Sequence, residues 1–363
     1  MSRRLIFHVD ANSAYLSWEA VRRLQHGDRL DLRSVPAVVG GNPETRHGIV
    51  LTKSIPAKNY GIETGESVFS ARAKCPELII VPPDYYLYMQ CSKAFGDILR
   101  EYSPLVEQYS IDEYFLDYTG MVKALGDPLE TAYRLKEQIK QELGFTVNVG
   151  ISSNKLLAKM GSELKKPDMV HTLFPEEMPY KMWPLPVEEL FGVGRATAPK
   201  LKERGILTIG DLASADPRHL KLFLKSYGYL LWNFANGRDA SSVRPDRRVL
   251  IKGIGNSTTI PFDVDDRQTA SLVLLSLVEN VGARLRQAEY LAGLVSVSIR
   301  NKEFYSYSHQ RKLFMPTDST NKIHETACQL FNEIWHQEPI RHLGVRVAEL
   351  CTNSLLQTSL FDF

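Results

Sequence analysis

Hydrophobic positions in the first half of the chain switch between strand-like and helix-like spacing. Residues 5–9 form a short apolar run, which predicts a buried strand with Asp10 at its exit. Residues 106–111 and 114–118 predict two further strands that are joined by a tight turn. Residues 129–143 place apolar side chains on one stripe, which predicts a helix. Together these elements predict an α+β core.

The next elements of this core have clear boundary signals. Residues 145–151 alternate between apolar and other side chains, as a strand does. Asn154 can cap the helix that follows, and Pro167 disfavours helix in the residue before it. Lys155 and Lys159 lie on the helix face opposite to the apolar stripe.

The last third of the chain again shows both strand-like and helix-like spacing, and a segment rich in turn-forming residues precedes it. Residues 237–245 are rich in small and polar residues and end in proline, which predicts an exposed tether. Strands are then predicted at 251–260, 293–300, 310–315 and 344–351, and helices near 267–287 and 319–335. This order predicts a second α+β domain, separated from the first by a small helical unit.

Composition indicates an ordinary globular chain with more than one domain. The chain has 363 residues, of which 44% are hydrophobic and 24% charged. No apolar stretch approaches the length of a membrane span. The four cysteines lack CxxC spacing and indicate neither a zinc site nor a disulfide framework, so we expect a reducing, cytoplasmic location. The net charge of +2 says little about partners, because nucleic-acid binding depends on where charge lies.

Three carboxylates are the first candidates for chemistry. Asp10 follows the first apolar run, and Asp112 and Glu113 lie between apolar and aromatic residues at the predicted turn. Buried carboxylates that face one another resist ionisation unless cations neutralise them. Hard oxygen ligands favour Mg²⁺ or Mn²⁺, and two such ions can promote phosphoryl transfer. The alternative is a hairpin with a solvated Asp-Glu tip.

A glycine turn predicts contact with a nucleic-acid backbone. Gly192 and Gly194 flank Val193 between two helix signals, and glycine permits close backbone approach and positive φ. Successive amides and a helix N-terminus form a concave anion site. With the apolar residues that follow, the pattern resembles a helix-hairpin-helix module, which holds duplex DNA without reading its sequence. The alternative is a plain pair of helices.

A basic row on a predicted strand is a second candidate for DNA contact. Residues 295–300 alternate apolar and polar side chains, as a half-buried strand does. The outward row and its continuation contain Arg300, Lys302, Arg311 and Lys312. Such a row can follow a phosphate backbone, although an ordinary solvated strand face is the alternative.

Several motifs occur together in an order that is typical of one family. Tyr15 follows Asp10 by five positions, and a Ser-Ile-Asp-Glu tetrapeptide occupies 110–113. A further block runs from Gly150 to Lys166. With the glycine turn, these motifs resemble a Y-family DNA polymerase, most closely its DNA polymerase IV branch, over essentially the whole chain.

This resemblance implies an α+β right-hand polymerase with a palm, fingers, a helix-hairpin-helix thumb and a C-terminal α+β little-finger domain. It places the palm at 1–13 and 81–173, the fingers at 14–80, the thumb at 174–233, a linker at 234–247, the little finger at 248–352 and a clamp-binding tail at 353–363. The implied activity is template-directed DNA synthesis, used in translesion synthesis and without proofreading.

The resemblance also implies catalytic roles for the three carboxylates. Asp10, Asp112 and Glu113 would bind two Mg²⁺ ions, or Mn²⁺, with the carbonyl of Ala11 as a further ligand. In the family, such ions promote attack of the primer 3′-hydroxyl on the α-phosphate of a deoxynucleoside triphosphate.

Three further residues are implied to contact the nucleotide. Tyr15 matches the family's steric gate against the ribose 2′-hydroxyl, and Lys58 and Lys166 match residues near the triphosphate. Lys58 stands where arginine is common and Ile55 where tyrosine is common, so the fingers depart from the family pattern. Asn12 replaces a common aspartate that is not one of the three carboxylates, and metal binding is expected to survive this change.

The tail predicts a protein partner. Gln357, Leu360 and Phe361 resemble a bacterial sliding-clamp binding peptide, which would order on docking. The alternative is a tail that packs on its own domain. We therefore expect a monomer that binds primer-template DNA, a deoxynucleoside triphosphate and the clamp.

Two other classes of protein share some of these features. A non-catalytic DNA-binding, clamp-associated factor would keep the glycine turn and the tail but would not transfer nucleotides. A helix-hairpin-helix glycosylase or nuclease would cut DNA rather than lengthen a primer. The three carboxylates argue against the first class, and lengthening or cutting of a primed template distinguishes the polymerase from the second.

Overall fold

The computed structural model of the chain describes residues 4–42, 48–245 and 251–352. It divides into two compact units: Met1–Gly41 with Val50–Arg247, and Asn42–Ile49 with Arg248–Phe363. The predicted clamp-binding residues Gln357, Leu360 and Phe361 lie outside the described residues.

Strands and helices alternate along the first half of the first unit, and helices dominate its second half. The strands are β1 (Ile6–Ala11), β2 (Ala37–Gly40), β3 (Val50–Lys53), β4 (Ile79–Val81), β5 (Val106–Gln108), β6 (Glu113–Asp117), β7 (Val147–Ser152) and β8 (Val170–Thr172). The helices are α1 (Ala14–Gln25), α2 (Ile55–Asn59), α3 (Val68–Lys74), α4 (Tyr85–Tyr102), α5 (Val122–Leu125), α6 (Pro128–Leu143), α7 (Lys155–Glu163), α8 (Met178–Lys181), α9 (Ala198–Lys202), α10 (Ile209–Ser214), α11 (Pro217–Leu224) and α12 (Ser226–Ala235).

A five-stranded sheet of order β5-β6-β1-β7-β8 organises the first unit. Strand β1 pairs antiparallel with both β6 and β7, and all of its residues are buried. Helices α1, α4 and α6 pack on one face of this sheet and α7 on the other. The buried first strand is confirmed, but Asp10 lies inside it rather than at its exit.

The predicted hairpin is present with shorter strands than expected. Strand β5 ends at Gln108 and β6 begins at Glu113, so residues 109–112 form the turn. Asp112 is therefore a turn residue as predicted. Glu113 belongs to a strand, which fixes its backbone against β1.

The two helices that flank β7 are confirmed. Helix α6 ends at Leu143, and Gly144 follows with φ 75°, the left-handed conformation that favours glycine. The side chain of Asn154 caps α7 by accepting a hydrogen bond from the Leu157 amide at 2.8 Å.

The lysine face of α7 packs against the sheet. Lys155 Nζ lies 2.8 Å from the carboxylate of Glu107 on β5, and Lys159 forms an ion pair with Glu113. The apolar stripe of α7 packs on the helical region that follows, in one core cluster with α8 to α12. Helix α7 is thus enclosed on two faces, which the pattern of a single amphipathic helix does not predict.

A second sheet, of order β3-β2-β4, carries helices α2 and α3. Ser54 caps α2 by accepting a hydrogen bond from the Ala57 amide, and Ser67 caps α3 in the same way. A small apolar core between this sheet and its helices includes Ile62 and Val68.

The helical elements on either side of the glycine turn are short. A single 3₁₀ turn, Val187–Glu189, precedes the turn, and the five-residue helix α9 follows it. Helix α10 begins with a capping box in which the side chains of Thr208 and Asp211 bond to each other's backbone amides.

The segment expected to be an exposed tether is held against the first unit. The Arg244 amide donates a 2.8 Å hydrogen bond to the carboxylate of Glu107. Val243 is buried against apolar side chains of β1, β6 and α7. Residues 237–245 are therefore docked, because the Val243 side chain and the Arg244 amide find partners on the core.

The second unit is the predicted α+β domain. Its elements are β9 (Gly253–Val264), α13 (Arg267–Gln287), β10 (Tyr290–Asn301), β11 (Ser306–Thr317), α14 (Thr320–Ile334) and β12 (Ile340–Thr352). The sheet has the order β11-β10-β12-β9, and both helices pack on one of its faces. The α+β class is confirmed. Among the described helices, none has the length and apolar character that crossing a membrane requires.

Gly150 allows the closest contact between the central sheet and α7. A Cβ atom at this position would lie 1.9 Å from the Ala158 carbonyl oxygen and 2.4 Å from the Ser162 nitrogen. Because both neighbours are backbone atoms, Gly150→Ala is expected to lower the free energy of unfolding by about 3 kcal/mol or more. Urea denaturation measures this loss. Gly120→Ala is the control, since nothing lies within 4 Å of its Cβ, and equal midpoints for the two variants would contradict the packing argument.

Candidate active site

Strand pairing brings the three predicted carboxylates together along the backbone. Asp10 of β1 lies directly opposite Glu113 of β6 in the antiparallel ladder. Asp112 precedes Glu113, and its carbonyl accepts a 3.0 Å hydrogen bond from the Ala11 amide. The backbones of all three acids are therefore held by β1 and β6, two adjacent strands of the central sheet, and by the hydrogen bond between Ala11 and Asp112.

Contacts with His8 and Lys159 keep Glu113 ionised. His8 Nε2 lies 3.2 Å from its carboxylate, and Lys159 forms an ion pair with the same oxygen. Burial raises the pKa of Glu113, but the hydrogen bonds from His8 and Lys159 outweigh it and lower the pKa to about 2. This carboxylate is negatively charged over the whole neutral range.

His8 is a fully buried imidazole that links β1 to α7. Its Nδ1 lies 2.7 Å from the hydroxyl of Ser162, on the side opposite to Glu113. Burial lowers the pKa of His8 to about 4, although the hydrogen bond with Glu113 opposes the shift. The neutral imidazole bonds to Glu113 and Ser162 at once, which fixes the orientation of the carboxylate.

Asp10 is in a different electrostatic state. Its side chain is almost fully buried, and burial raises its pKa to about 7, against the opposing charge of Lys166. Lys166 Nζ lies 3.0 Å from Asp10 and 2.8 Å from Glu163, so one ammonium is shared between two carboxylates. Asp10 is thus an incompletely compensated acid, which a further cation would stabilise.

The side chains of the three acids make separate contacts. Asp112 accepts a 2.6 Å hydrogen bond from Ser110, while Asp10 and Glu113 face their lysines. Among the described residues, no three His, Cys, Asp or Glu side chains are gathered in a metal-binding arrangement. The donor set nevertheless fits a hard divalent cation, because it consists of carboxylate oxygens and includes the buried, poorly compensated Asp10.

A cavity of about 580 Å³ opens beside Asp10. Its wall includes Asn12 and Ser13 after β1, Thr52 and Lys53 on β3, and Lys58 on α2, together with Arg33 and Lys166. Asn12 is almost fully buried, and its Oδ1 has no hydrogen-bond partner among the described residues. The positions that depart from the family pattern, Asn12, Ile55 and Lys58, all contribute to this wall.

Tyr15 is not among the residues that line this cavity, and its ring belongs to an aromatic cluster between α1 and α4. Its ring stacks on Tyr88 with 4.4 Å between centroids and 8° between planes. Burial and the nearby charge of Asp112 raise the pKa of Tyr15. The hydroxyl of Tyr88 is hydrogen-bonded to the buried Glu19 at 3.0 Å, so the surface under Tyr15 is rigid.

One of the two glycines in the glycine turn has the positive φ that the sequence predicts. Gly192 has φ +95°, and its carbonyl accepts a 2.6 Å hydrogen bond from the Tyr227 hydroxyl. At Gly194 a Cβ atom would meet nothing within 4 Å. The carbonyl of Gly194 accepts hydrogen bonds from the amides that begin α9.

The four basic residues that were expected to contact DNA do not form one row. They are Arg300, Lys302, Arg311 and Lys312. Arg300 and Lys312 lie on the sheet face opposite to the helices, because they alternate with core residues along β10 and β11. Lys302 follows the end of β10. Arg311 is on the helical face, where it contacts Gln329 and Glu333 of α14. The expectation that Arg311 lies on the outward row is wrong, since cross-strand pairing places it with Val295.

Sequence patterns alone missed three residues of the site. His8 appears in the sequence as one polar residue within an apolar run, and Lys159 as part of a lysine face. Lys53 ends a short strand that the sequence pattern did not single out. His8 is recognisable by its hydrogen bond to Glu113 and Lys159 by its ion pair with the same carboxylate, and both contacts become visible only when β1, β6 and α7 are placed together.

Comparison with known proteins gives consistent matches along the chain. The profile of the impB/mucB/samB family matches residues 9–163, its C-terminal domain matches 251–360, and the IMS family HHH motif matches 175–206. A DNA polymerase IV of Clostridium acetobutylicum is 49% identical over 99% of this chain and 90% of its own length. DNA polymerase IV 1 of Bacillus subtilis is 39% identical over 99% of this chain and 86% of its own length.

The fold has a solved counterpart. A Y-family DNA polymerase chimera superposes with a TM-score of 0.83 and 23% identity, and the match covers 96% of this chain and 100% of that one. The predicted α+β right-hand fold, with its C-terminal antiparallel-sheet domain, is confirmed by this match.

The raised pKa of Asp10 predicts a pH-dependent stability change in Asp10→Asn. The native carboxyl binds its proton more tightly than the unfolded one, so stability is lost as pH rises from about 4 through about 7. The amide removes this loss. Asp10→Asn is therefore expected to raise the free energy of unfolding at pH 8, by on the order of 3 kcal/mol, and to change it little at pH 4.

Urea denaturation at both pH values, without divalent cations, measures the effect. Asp28→Asn is the matched control, because Asp28 is exposed. An equal stability change for Asp10→Asn at pH 4 and pH 8 would show that burial of this carboxylate has no electrostatic cost.

Proposed function

The chain belongs to the impB/mucB/samB family and, within it, to the Y-family DNA polymerases of the DNA polymerase IV type, and from this we propose its reaction in residue terms. It is a DNA-directed DNA polymerase of the translesion class, which extends a primer along a template. The non-catalytic alternative has no support, because relatives that match nearly the whole chain are named as polymerases.

One observation supports the catalytic assignment: Asp10 and Glu113 are cross-strand neighbours, with Asp112 beside them. We propose that these carboxylates, with the Ala11 carbonyl, hold two Mg²⁺ ions, and that Mn²⁺ can replace them. When bound, such ions supply charge stabilisation to the attacking and leaving oxygens of a phosphoryl transfer. Asp10 must lose its proton to act as a ligand, whereas His8 and Lys159 keep Glu113 ionised in advance.

The cavity beside Asp10 is the proposed site of the deoxynucleoside triphosphate. Lys166 and Lys58 supply positive charge to its wall. Lys166 is paired with Asp10, so it can turn to a phosphate when another cation compensates that acid. Tyr15, on its rigid Tyr88 support, is the proposed barrier to a 2′-hydroxyl.

Contacts with DNA follow from the same assignment. We propose that the turn at Gly192 and Gly194 and the basic residues Arg300, Lys302 and Lys312 hold the phosphate backbone. Arg311 contacts α14, so its part in DNA binding is the least supported of the set. The palm, fingers, thumb, linker, little-finger and tail boundaries given above, the absence of proofreading, the monomeric state and the cytoplasmic location stay predictions.

Asp112→Asn tests the activity directly. The substitution removes one proposed ligand charge but keeps the shape of the side chain. Steady-state primer extension with Mg²⁺ is expected to fall at least about 100-fold in kcat. Asp28→Asn serves as the control and should leave kcat unchanged. If the wild-type chain lengthens no primed template with Mg²⁺ or Mn²⁺, the polymerase assignment is refuted, and cleavage of the template would favour a nuclease.

Tyr15→Ala tests the sugar barrier. Removal of the ring opens space next to the proposed nucleotide sugar, so ribonucleotide incorporation relative to deoxynucleotide incorporation is expected to rise about tenfold or more. Single-nucleotide insertion with matched ribo and deoxy substrates measures the ratio. Tyr86→Ala, an exposed tyrosine on α4, is the control. An unchanged ratio in Tyr15→Ala would remove this residue from the role.

Deletion of residues 357–363 tests the proposed clamp peptide. Extension in the presence of a bacterial sliding clamp is expected to fall about fivefold or more, because the tether raises the local concentration of enzyme at the primer end. Extension without clamp should be unchanged. An equal loss in both assays would mean that the tail supports the fold rather than a partner.

A further inference from the structure

Positive charge in the cavity beside Asp10 exceeds what its wall compensates. Arg33 is satisfied by Asp31 and by the Gly144 carbonyl, and Lys166 is paired with Asp10 and Glu163. The side-chain ammonium groups of Lys53 and Lys58 form no ion pair or hydrogen bond with another described residue, and both side chains line the cavity. Two ammonium groups in this wall are thus available to an anion.

The backbone fixes both lysines in place. Lys53 is the last residue of β3 and pairs with Val38 of β2. Ser54 follows, and its buried side chain caps the helix that carries Lys58. The Lys58 amide bonds to the Ser54 carbonyl at 3.0 Å, so the two lysines are separated by one rigid turn.

Nearby acids do not neutralise Lys53. Glu66 is already engaged by Lys74 at 2.7 Å and by the Glu63 amide at 2.8 Å. Burial lowers the pKa of Lys53, and the charge of Lys58 lowers it further. The charged groups that act on Lys53 are Lys58 and Lys74, which lower its pKa, and Glu63 and Glu66, which raise it.

We propose that Lys53 and Lys58 together form a subsite for the polyphosphate end of the incoming nucleotide. This inference rests on the proposed function and adds Lys53, which no family pattern assigned, to the nucleotide-binding residues. Two ammonium groups that line the same cavity suit a ligand with several negative charges close together, such as a polyphosphate. The volume of this cavity, about 580 Å³, also favours a small ligand.

Two lysines in this cavity can take the place of one arginine in binding a polyphosphate. A lysine at position 58 offers a point charge without the planar fork of arginine. A second point charge from Lys53 can hold the same polyphosphate at two places, which restores orientation that a single ammonium does not give. Lys53 is therefore a binding residue, and the chemical step is left to the carboxylates.

Steady-state primer extension with Lys53→Met, Lys53→Arg and Lys123→Met measures this role. The first should raise KM for the deoxynucleoside triphosphate about tenfold and change kcat less than about threefold, because one charge-assisted contact is lost. Lys53→Arg should restore KM to within about threefold of wild type. Lys123→Met is the control, since Lys123 is exposed and lies outside the cavity.

The pH profile separates this role from a structural one. As pH rises through the lowered pKa of Lys53, this side chain loses its charge and the wild-type KM should approach that of Lys53→Met. This change should occur at a lower pH than the pKa of an ordinary lysine would give. Lys53→Arg stays charged and should not show this rise. Parallel profiles for wild type and Lys53→Met would overturn the subsite.

Calorimetric binding of inorganic tripolyphosphate to the full chain, without DNA, tests the subsite independently of polymerisation. Lys53→Met should weaken binding about tenfold, while binding of a deoxynucleoside monophosphate should change less than about twofold. Weakened tripolyphosphate binding in a chain that extends no primer would uphold the subsite and refute the polymerase. No tripolyphosphate binding by wild type, or equal affinity in Lys53→Met, would overturn the subsite even in an active polymerase.

Discussion

The site depends on keeping negative charge in a place from which water is largely excluded. Asp10 and Glu113 face each other across paired strands, and each would be costly to ionise without help. The protein solves this in two ways: Glu113 receives an imidazole and an ammonium, whereas Asp10 shares one lysine with Glu163. One acid is therefore fully charged at neutral pH and the other is close to its midpoint. A further cation next to Asp10 would lower the remaining electrostatic cost of ionising this acid.

Helix α7 connects this electrostatic arrangement to the rest of the first unit. One face supplies Lys155 and Lys159 to carboxylates of the sheet, and the other packs into the core of the helical region. Glu107 receives both Lys155 and the backbone of Arg244, so the chain leaving the helical region is attached to the same assembly. The carboxylates, the helix and the docked segment are thus stabilised by shared contacts, and a change in one of them is felt by the others.

Local signals in the sequence predicted most of the fold. Gly144 marked a helix end and Asn154 a helix start because each acts through its own backbone neighbours. The motifs likewise named acids whose backbones lie side by side, since Asp10 pairs with Glu113 and Asp112 precedes it. Features that depend on distant partners could not be read in this way. The pairing of β1 with β6 decides that Glu113 is a strand residue, the pairing of β10 with β11 turns Arg311 toward α14, and the docking of residues 237–245 depends on Glu107. Lys53 was missed because its isolation from counter-charges is a property of the folded cavity.

The close approach at Gly150 makes the contact between β7 and α7 less tolerant of substitution than the rim of the cavity. No side chain fits between β7 and α7 there, so the strand and helix that support the carboxylates are fixed by a backbone contact rather than by exchangeable packing. The cavity rim is different, because the residues Ile55 and Lys58 are exposed. Substitutions at Ile55 or Lys58 can therefore change the shape and charge of the cavity rim without disturbing the backbone contact between β7 and α7.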